Sequence, residues 1–277
     1  MLEQTNNKTI AKNTLFLYLR MMFTMIVTLF TSRIILQKLG IDDYGIYQAV
    51  GGVVGFLSFI NGALSTGSSR FLTYAIGERN LEKLKRTFST TLNIHILIAI
   101  IVVILAETVG LWFLYNKMVI APDRMTAAVC TYHLSILTAV FSLTQVPYNA
   151  VIIAHERMSI YAYMSIFEVS AKLGICYLLT LVDYDKLILY ASLLFIVQLL
   201  VMLFYRLYCT KNFKEARFSM TFDEIVFKEI ARFSGWSMFA NTAMALNSQG
   251  ILVLLNIFFS PAVVAARAIS LQVNMAA

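Results

Sequence analysis

Charged residues are scarce in this sequence, and that scarcity excludes an ordinary soluble domain. Asp, Glu, Lys and Arg make up 13% of its 277 residues, whereas apolar residues make up 59% and the mean hydropathy is +0.75. Soluble domains carry about 25% charged residues. The composition therefore predicts an integral membrane protein. The net charge of +7 is explained by contact with anionic headgroups of membrane lipids, so no nucleic-acid partner is predicted.

The sequence also lacks the patterns of disulfide, metal and phosphate-loop sites. Its cysteines and histidines are few and have neither pairing nor ligand spacing: Cys130, Cys176, Cys209, His95, His133 and His155. No Gly-Lys-Ser or Gly-Lys-Thr follows the glycines near residue 51, so Gly51 and Gly55 are interpreted as a small-xxx-small step for close helix packing. We predict no metal, no cofactor and no catalytic residue.

Long apolar runs predict an all-α, polytopic bundle of membrane-spanning helices. One crossing needs about 20 residues, and runs of this kind occupy 15–37, 46–66, 91–115, 126–148, 159–182, 187–208 and 234–258, with another beginning at Ala262. We divide the chain into a six-helix lobe at 1–208, a cytoplasmic amphipathic linker at 209–233 and the start of a second lobe at 234–277. The last run is still apolar where the sequence stops, so we expect a truncated second lobe and no transport by this chain alone.

Two cytoplasmic stretches have amphipathic patterns. Residues 78–88 alternate charges with apolar side chains, and residues 221–233 open with the capping-box spacing of Thr221 and Glu224. Both are expected to lie along the membrane surface.

Lysines and arginines gather on one side of the predicted bundle. That side holds Lys8, Lys12, Arg70, Arg79, Lys83, Lys85, Arg86, Arg157, Arg206, Lys211, Lys214, Arg217, Lys228 and Arg232, and the other holds Arg33, Lys38, Lys117, Arg124 and Lys186. Short loops rich in Lys and Arg stay in the cytoplasm. The N-terminus is therefore predicted to be cytoplasmic.

Five ionisable residues interrupt the apolar runs: Arg20, Glu107, Glu168, Lys172 and Arg267. A charge at bilayer depth costs at least a few kcal/mol, so it normally faces a bundle interior or a wet cavity. The spacing of Glu168 and Lys172 favours a helical ion pair, which is either structural or an ion-coupling site. Glu107 has no partner that the sequence indicates, and its role is left open between a structural ion pair and an ion-coupling site.

Several short segments form a recognisable set: Leu39-Gly40 with Tyr44-Gly45-Ile46-Tyr47, then Ser69-Arg70-Phe71, then Pro147-Tyr148-Asn149-Ala150 with Ile153-Ala154-His155-Glu156-Arg157-Met158. These segments resemble the polysaccharide-biosynthesis flippases of the O-antigen transporter type, in the same superfamily as the multidrug and toxin extruders. The resemblance implies a MATE-like bilobal bundle in the bacterial inner membrane. Its implied substrate is an undecaprenyl-diphosphate-linked glycan moved to the periplasmic leaflet for lipopolysaccharide, O-antigen or capsule synthesis, with other surface-glycan assembly proteins as partners.

That implied substrate assigns roles to four polar residues. Arg20 and Arg267 are the preferred diphosphate ligands, because a guanidinium binds phosphate oxygens bidentately. Arg70 is a further candidate, although an anchor at the cytoplasmic interface is an equal interpretation. Asn241 is a candidate sugar contact, and interhelical hydrogen bonding is its alternative.

Three other functions stay open. A cation-coupled drug or metabolite antiporter of the extruder type shares the fold, but the first span offers Arg20 and no carboxylate. A glycan polymerase or ligase would be an enzyme with a large outer loop, which the short loops disfavour. A non-transporting structural component of a glycan-assembly complex is the third alternative.

Overall fold

The computed structural model describes residues 2–56, 58–182, 184–217, 219 and 221–276, with side chains from residue 13 to residue 271 apart from 56–59, 183, 218 and 220. The side chains of Lys8 and Lys12, which support the predicted orientation, lie outside the described part, as does Ala277. The α-helices are α1 Leu2–Leu39, α2 Ile41–Phe56, α3 Ser58–Gly77, α4 Leu81–Leu105, α5 Leu111–Asn116, α6 Met125–Ala154, α7 Met158–Leu181, α8 Lys186–Asn212, α9 Glu224–Ala245, α10 Ile251–Phe258 and α11 Pro261–Ala276. Single π-helical turns at Ala106–Gly110 and Leu246–Gly250 join α4 to α5 and α9 to α10.

Six helical segments are long and apolar enough to cross a membrane. They are Asn13–Leu39, Leu81–Asn116, Pro122–Ala154, Met158–Leu181, Lys186–Asn212 and Glu224–Phe258. The pair α2 and α3, bent by 49°, makes a seventh crossing if it is one broken span. No strand occurs among the described residues, so the predicted all-α membrane bundle is confirmed.

The two amphipathic stretches do not form separate surface helices. The first is the opening of α4, where Asn80 accepts a hydrogen bond from the Lys83 amide at 3.1 Å and Phe88 is fully buried. The second opens α9, and its N-cap is Asp223 rather than Thr221, because the Asp223 carboxylate accepts from two amides at 3.0 and 3.2 Å. Each stretch buries part of its apolar face in the bundle, through Phe88 and Ile230, whereas Leu81 and Ile225 are exposed.

The core follows α6, which packs against α2, α3, α4 and α8. Tyr132 is fully buried there, and Tyr148 packs edge-on against Phe88 with ring centroids 5.4 Å apart. Without a hydrophobic force between helices in lipid, such close packing supplies much of the association energy.

Glycines on α2 and α3 face the helices that follow the linker. An added Cβ at Gly67 would meet Ser234 Oγ at 2.7 Å, and one at Gly62 would meet Asn241 Oδ1 at 3.2 Å. Gly45 lies against the backbone carbonyl of Pro261. Gly52 and Gly55 face the turn that contains Gln249, whereas Gly51 has no such neighbour within 4 Å. The packing step therefore uses Gly52 with Gly55, and the predicted role of Gly51 is wrong.

The segment between α8 and α9, which we predicted to be a linker, is fastened to the helices that precede it. Glu215 is 4% exposed, and its Oε1 lies 2.5 Å from His155 Nε2 in the turn between α6 and α7. The His155 ring stacks on Phe213 with centroids 4.3 Å apart. Thr90 on α4 accepts a hydrogen bond from the Asp223 amide at 3.0 Å. We call His155, Phe213 and Glu215 the linker clasp.

An ion cluster joins three helix starts at the opposite end of the bundle. Arg124 donates to both carboxylate oxygens of Asp43, at 2.9 and 2.6 Å, and to Asp185 at 2.6 Å. Asp185 also caps α8 by accepting from the Leu187 and Ile188 amides. Burial alone would raise the pKa of Asp185, but these hydrogen bonds from Arg124 and the amides hold it below its ordinary value.

Candidate functional site

A cavity of about 870 Å³ lies among α1, α2, α3, α6, α7 and α8. Its size falls within the roughly 300–1,000 Å³ of small-molecule sites. Its polar lining residues are Arg20, Thr24, Thr28, Thr31, Ser32, Tyr47, Gln48, Asn61, Ser135, Thr138, Ser142, Ser165, Glu168, Lys172, Tyr190 and Gln198. The cavity is thus a polar chamber within the first lobe.

Arg20 enters this chamber from α1. Its Nη1 donates to Ser165 Oγ on α7 at the long distance of 3.5 Å, and its guanidinium lies over the Tyr161 ring, 4.8 Å from the centroid. Its Nε is buried and has no hydrogen-bond partner. Among the described residues no carboxylate lies within 4 Å of Arg20. Its charge is therefore not balanced by an ion pair.

The other charges of the chamber neutralise each other. Lys172 Nζ lies 2.7 Å from Glu168 Oε1, one helical turn away on α7. The sequence spacing predicted this pair, and both side chains line the cavity. With Glu168 and Lys172 cancelling, the lining carries one net positive charge, on Arg20.

Many hydroxyl groups in the chamber use their protons on their own helix. Thr24 donates to the Arg20 carbonyl at 2.7 Å, Ser32 to the Thr28 carbonyl at 2.7 Å and Thr138 to the Leu134 carbonyl at 2.8 Å. A hydroxyl that donates this way keeps acceptor capacity on its oxygen. The chamber therefore presents acceptors to donor groups such as sugar hydroxyls.

The remaining predicted site residues lie elsewhere. Arg267, on α11, is half-buried, and its Nε is buried without a partner, but it is not part of the chamber lining. Arg70 is exposed at the far end of α3, with its guanidinium 4.7 Å from the centroid of the Phe233 ring. Asn241 packs against Gly62 on α3. Only Arg20, Glu168 and Lys172 are brought together by the fold.

Glu107 has a partner that the sequence did not indicate. Its Oε2 lies 3.4 Å from His133 Nε2 on α6, outside the chamber. Twenty-six residues separate the two in sequence, so no helical spacing relates them.

The hydroxyl groups of the chamber were also not predicted, although their spacing in the sequence indicates them. Thr24, Thr28 and Ser32 follow one another at four-residue intervals on α1, a spacing that does indicate one polar helix face.

The described residues contain no group of three or more His, Cys, Asp or Glu side chains arranged to hold a metal ion. A metal-ion site built on Glu168 alone would need its other ligands from the substrate or from solvent.

Comparisons with known proteins identify the fold. The sequence profile of the MatE family matches residues 16–178. No curated protein matches the sequence. The fold resembles an inward-facing multidrug resistance MATE family transporter of the MOP superfamily, with a TM-score of 0.69 and 14% identity over 91% of this chain. The chain spans 58% of the length of that transporter.

Two further solved structures share the fold. One is MATE in complex with MaL6, with a TM-score of 0.65 and 14% identity over 96% of this chain and 67% of that protein. The other is a MOP superfamily transporter from Pyrococcus furiosus, with a TM-score of 0.62 and 13% identity over 96% of this chain and 67% of that protein. Its description reports a binding pocket of reverse polarity that suggests a different function.

Proposed function

The chain belongs to the MatE family, and on that premise we propose that it forms the first lobe, and the start of a second, of a membrane transporter whose substrate enters the polar chamber. Alternating access in such bilobal proteins arises from rocking of one bundle against the other around a central site. The chamber lining, rather than the lipid-facing surface, then decides what is carried.

The observation that carries the proposal is the unbalanced Arg20. Glu168 and Lys172 lie 2.7 Å apart and neutralise each other, so the chamber attracts a negatively charged group. The planar guanidinium suits phosphate oxygens because it donates through a rigid fork and stays charged when desolvated. We therefore propose an anionic, phosphate-bearing substrate.

The finer form of this proposal is an undecaprenyl-diphosphate-linked oligosaccharide, moved from the cytoplasmic to the periplasmic leaflet of a bacterial inner membrane for surface polysaccharide synthesis. Arg20 would bind the diphosphate. The hydroxyl oxygens of residues such as Thr24, Ser32 and Thr138 would accept hydrogen bonds from the glycan. The resemblance of the segment around His155 to O-antigen flippases supports the same substrate.

A second candidate is a cation-coupled drug or metabolite antiporter. The family assignment and the fold shared with a multidrug resistance transporter favour it. Glu168 would then bind the coupling cation or an organic cation after releasing Lys172. The two candidates place opposite charges in the same chamber, so ligand charge separates them.

Binding to the 277-residue chain in lipid nanodiscs tests the proposal. The probes are undecaprenyl diphosphate, the uncharged alcohol undecaprenol and the organic cation tetraphenylphosphonium, each scored by native mass spectrometry. We expect preference for the diphosphate. Loss of a charged hydrogen bond costs about 1.5–3 kcal/mol, so Arg20→Ala should weaken diphosphate binding by about 10- to 150-fold.

Arg33→Ala is the matched control, since Arg33 lies on the same helix as Arg20, is exposed and lies outside the chamber. Preferred binding of the cation, lost in Glu168→Gln and kept in Arg20→Ala, would replace the flippase proposal with the antiporter. Absence of binding by every probe would leave a structural component as the better account.

A further inference from the structure

Glu107 and His133 form an ionisable pair on the outward face of the bundle. Their closest charged atoms are 3.4 Å apart, and their side chains are 40% and 44% exposed. The exposed side chains around them include the apolar Ile104, three residues before Glu107, and Leu137, four residues after His133, together with the polar Thr108. Both residues of the pair belong to helical segments that are long and apolar enough to cross a membrane, which places the pair at bilayer depth.

The pair lies deep within its spans. Glu107 precedes the end of α5 at Asn116 by nine residues, and His133 follows Arg124 by nine. At 1.5 Å per residue, each lies about 13 Å along its helix from that end of the bundle. Two residues at matching depth on neighbouring helices therefore meet far from the Arg124 ion cluster.

Glu107 lies within a π-helical turn. The turn Ala106–Gly110 adds one residue to the helix, which rotates the residues that follow it by about 100° relative to a regular helix. Tyr132 donates a hydrogen bond to the Ala106 carbonyl at 2.7 Å, and its hydroxyl lies in the space that Gly110 leaves by having no side chain. Tyr132 thus fixes the turn, and the next residue, His133, contacts Glu107.

The helices packed against this turn carry few other ionisable side chains on nearby segments: Cys130 and Tyr132 on α6, Tyr115 on α5, and Asp42, Asp43, Tyr44 and Tyr47 on α2. The two aspartates are at the start of α2, where Asp43 is bound to Arg124. Tyr132 is already bonded to the Ala106 carbonyl. Among the described residues, His133 is the one cationic partner that the structure gives Glu107.

We propose that Glu107 and His133 form a proton-binding site, separate from the substrate chamber. The pair has no net charge when it holds one proton, whichever of the two groups carries it. Losing that proton leaves a carboxylate, and gaining a second leaves an imidazolium. A net charge at bilayer depth costs at least a few kcal/mol. The proton therefore leaves only when a shift of α4 against α6 admits water or separates the two groups.

A hydrophobic carbodiimide tests the site without a transport assay. Dicyclohexylcarbodiimide adds to intramembrane carboxyl groups that carry a proton, and peptide mass spectrometry identifies the modified residue. In nanodiscs of the wild-type chain we expect Glu107 to react, and faster as the pH falls. Glu168 is the internal comparison because its partner is Lys172, and Glu107→Gln should remove the label from its peptide.

Substitutions of His133 should move the labelling in opposite directions. His133→Phe removes the group that shares the proton, so the carboxyl keeps it and labelling rises. His133→Lys supplies a permanent cation, which keeps the carboxylate ionised, so labelling falls. At one pH we therefore expect more labelling of Glu107 in His133→Phe than in the wild type, and less in His133→Lys.

His133→Gln, which is neutral and keeps hydrogen bonding, should lie between the two and replaces either variant that fails to insert. The proposal is overturned if Glu107 stays unlabelled in the wild type and in His133→Phe while the detergent-denatured chain reacts. It is also overturned if the His133 variants shift labelling in the same direction or leave it unchanged.

Discussion

Replacing His155 with Ala should release the segment between α8 and α9 from the turn between α6 and α7. The substitution removes the imidazole that is hydrogen-bonded to the buried Glu215 carboxylate and that stacks on Phe213. A hydrogen bond to a charged group contributes about 1.5–3 kcal/mol, and an aromatic pair about 0.5–1.5 kcal/mol. The linker clasp should therefore lose about 2–4 kcal/mol.

Amide hydrogen exchange measures this loss locally. The amides of Phe213, Ala216 and Asp223 donate to Cys209, Phe213 and Thr90 respectively, at 2.8, 3.2 and 3.0 Å. Each 1.4 kcal/mol of lost stability raises the exchange rate tenfold, so these amides should exchange about 30- to 1,000-fold faster in His155→Ala. His155→Gln, which keeps an N–H donor, should cause a smaller change. Equal exchange in His155→Ala and the wild type would refute the clasp.

Acidification should weaken the same contact. Burial alone would raise the pKa of Glu215, but its hydrogen bond with His155 holds the pKa below the ordinary 4.5. The stabilisation from this carboxylate is therefore complete above pH 4.5 and is lost as the pH falls through the lowered native value. After correction for intrinsic exchange rates, Glu215→Gln should lack this acid-dependent loss. An identical acid response in both proteins would assign the effect to another group.

Three further substitutions test the packing of the bundle, each by thermal unfolding in detergent. Arg124→Ala leaves Asp43 and Asp185 without their shared cation and should lower the stability by about 1–3 kcal/mol. Arg124→Lys should recover part of that stability, because it restores the charge without the bidentate fork. Equal unfolding midpoints for both variants and the wild type would contradict this prediction. Gly45→Ala places a methyl group against the Pro261 carbonyl and should destabilise the protein. Gly174→Ala adds a methyl group with no heavy atom within 4 Å and should stabilise its helix by up to about 1 kcal/mol. Similar effects at both positions would disprove the close approach of Gly45 to Pro261. Asn256→Leu removes the side chain that accepts from the Val119 amide at 3.1 Å inside a fully buried site and should cost about 1–3 kcal/mol. Tolerance of Leu would argue against that bond.

Sequence patterns predicted the parts of this protein that depend on local chemistry. Apolar run length predicted six of the spanning segments, whereas the run predicted at 46–66 falls on a pair of helices bent by 49°. Four-residue spacing predicted the pair of Glu168 and Lys172. Patterns failed where distant residues meet. Nothing local to Glu107 indicates His133, because their contact depends on a π-helical turn and on how α4 packs against α6.

Amphipathic periodicity was ambiguous for a physical reason. A helix with one apolar face can bury that face in a membrane surface or against another helix. Phe88 and Ile230, on the two stretches expected at the surface, are both fully buried in the bundle. The separation of the chain at 209–233 into lobes and linker stays a prediction, as do the substrate roles of Arg20, Arg70, Asn241 and Arg267.

The glycine face of α2 and α3 bears on which helices can move when the chamber opens. At Gly45 and Gly67 the neighbouring atoms leave no room for a methyl group, so α11 and α9 approach the backbone itself. At Gly45 the nearest atoms are backbone atoms of Pro261, so sliding there cannot be relieved by rotating a side chain. At the opposite wall, Arg20 on α1 reaches Ser165 on α7 through a 3.5 Å hydrogen bond. A substrate phosphate that takes over Arg20 would break that bond, but α1 and α7 also pack together elsewhere, with the Phe16 and Tyr163 ring centroids 5.8 Å apart. We therefore expect Arg20 to move while α1 keeps its contact with α7, as α2 and α3 keep theirs with α9 and α11.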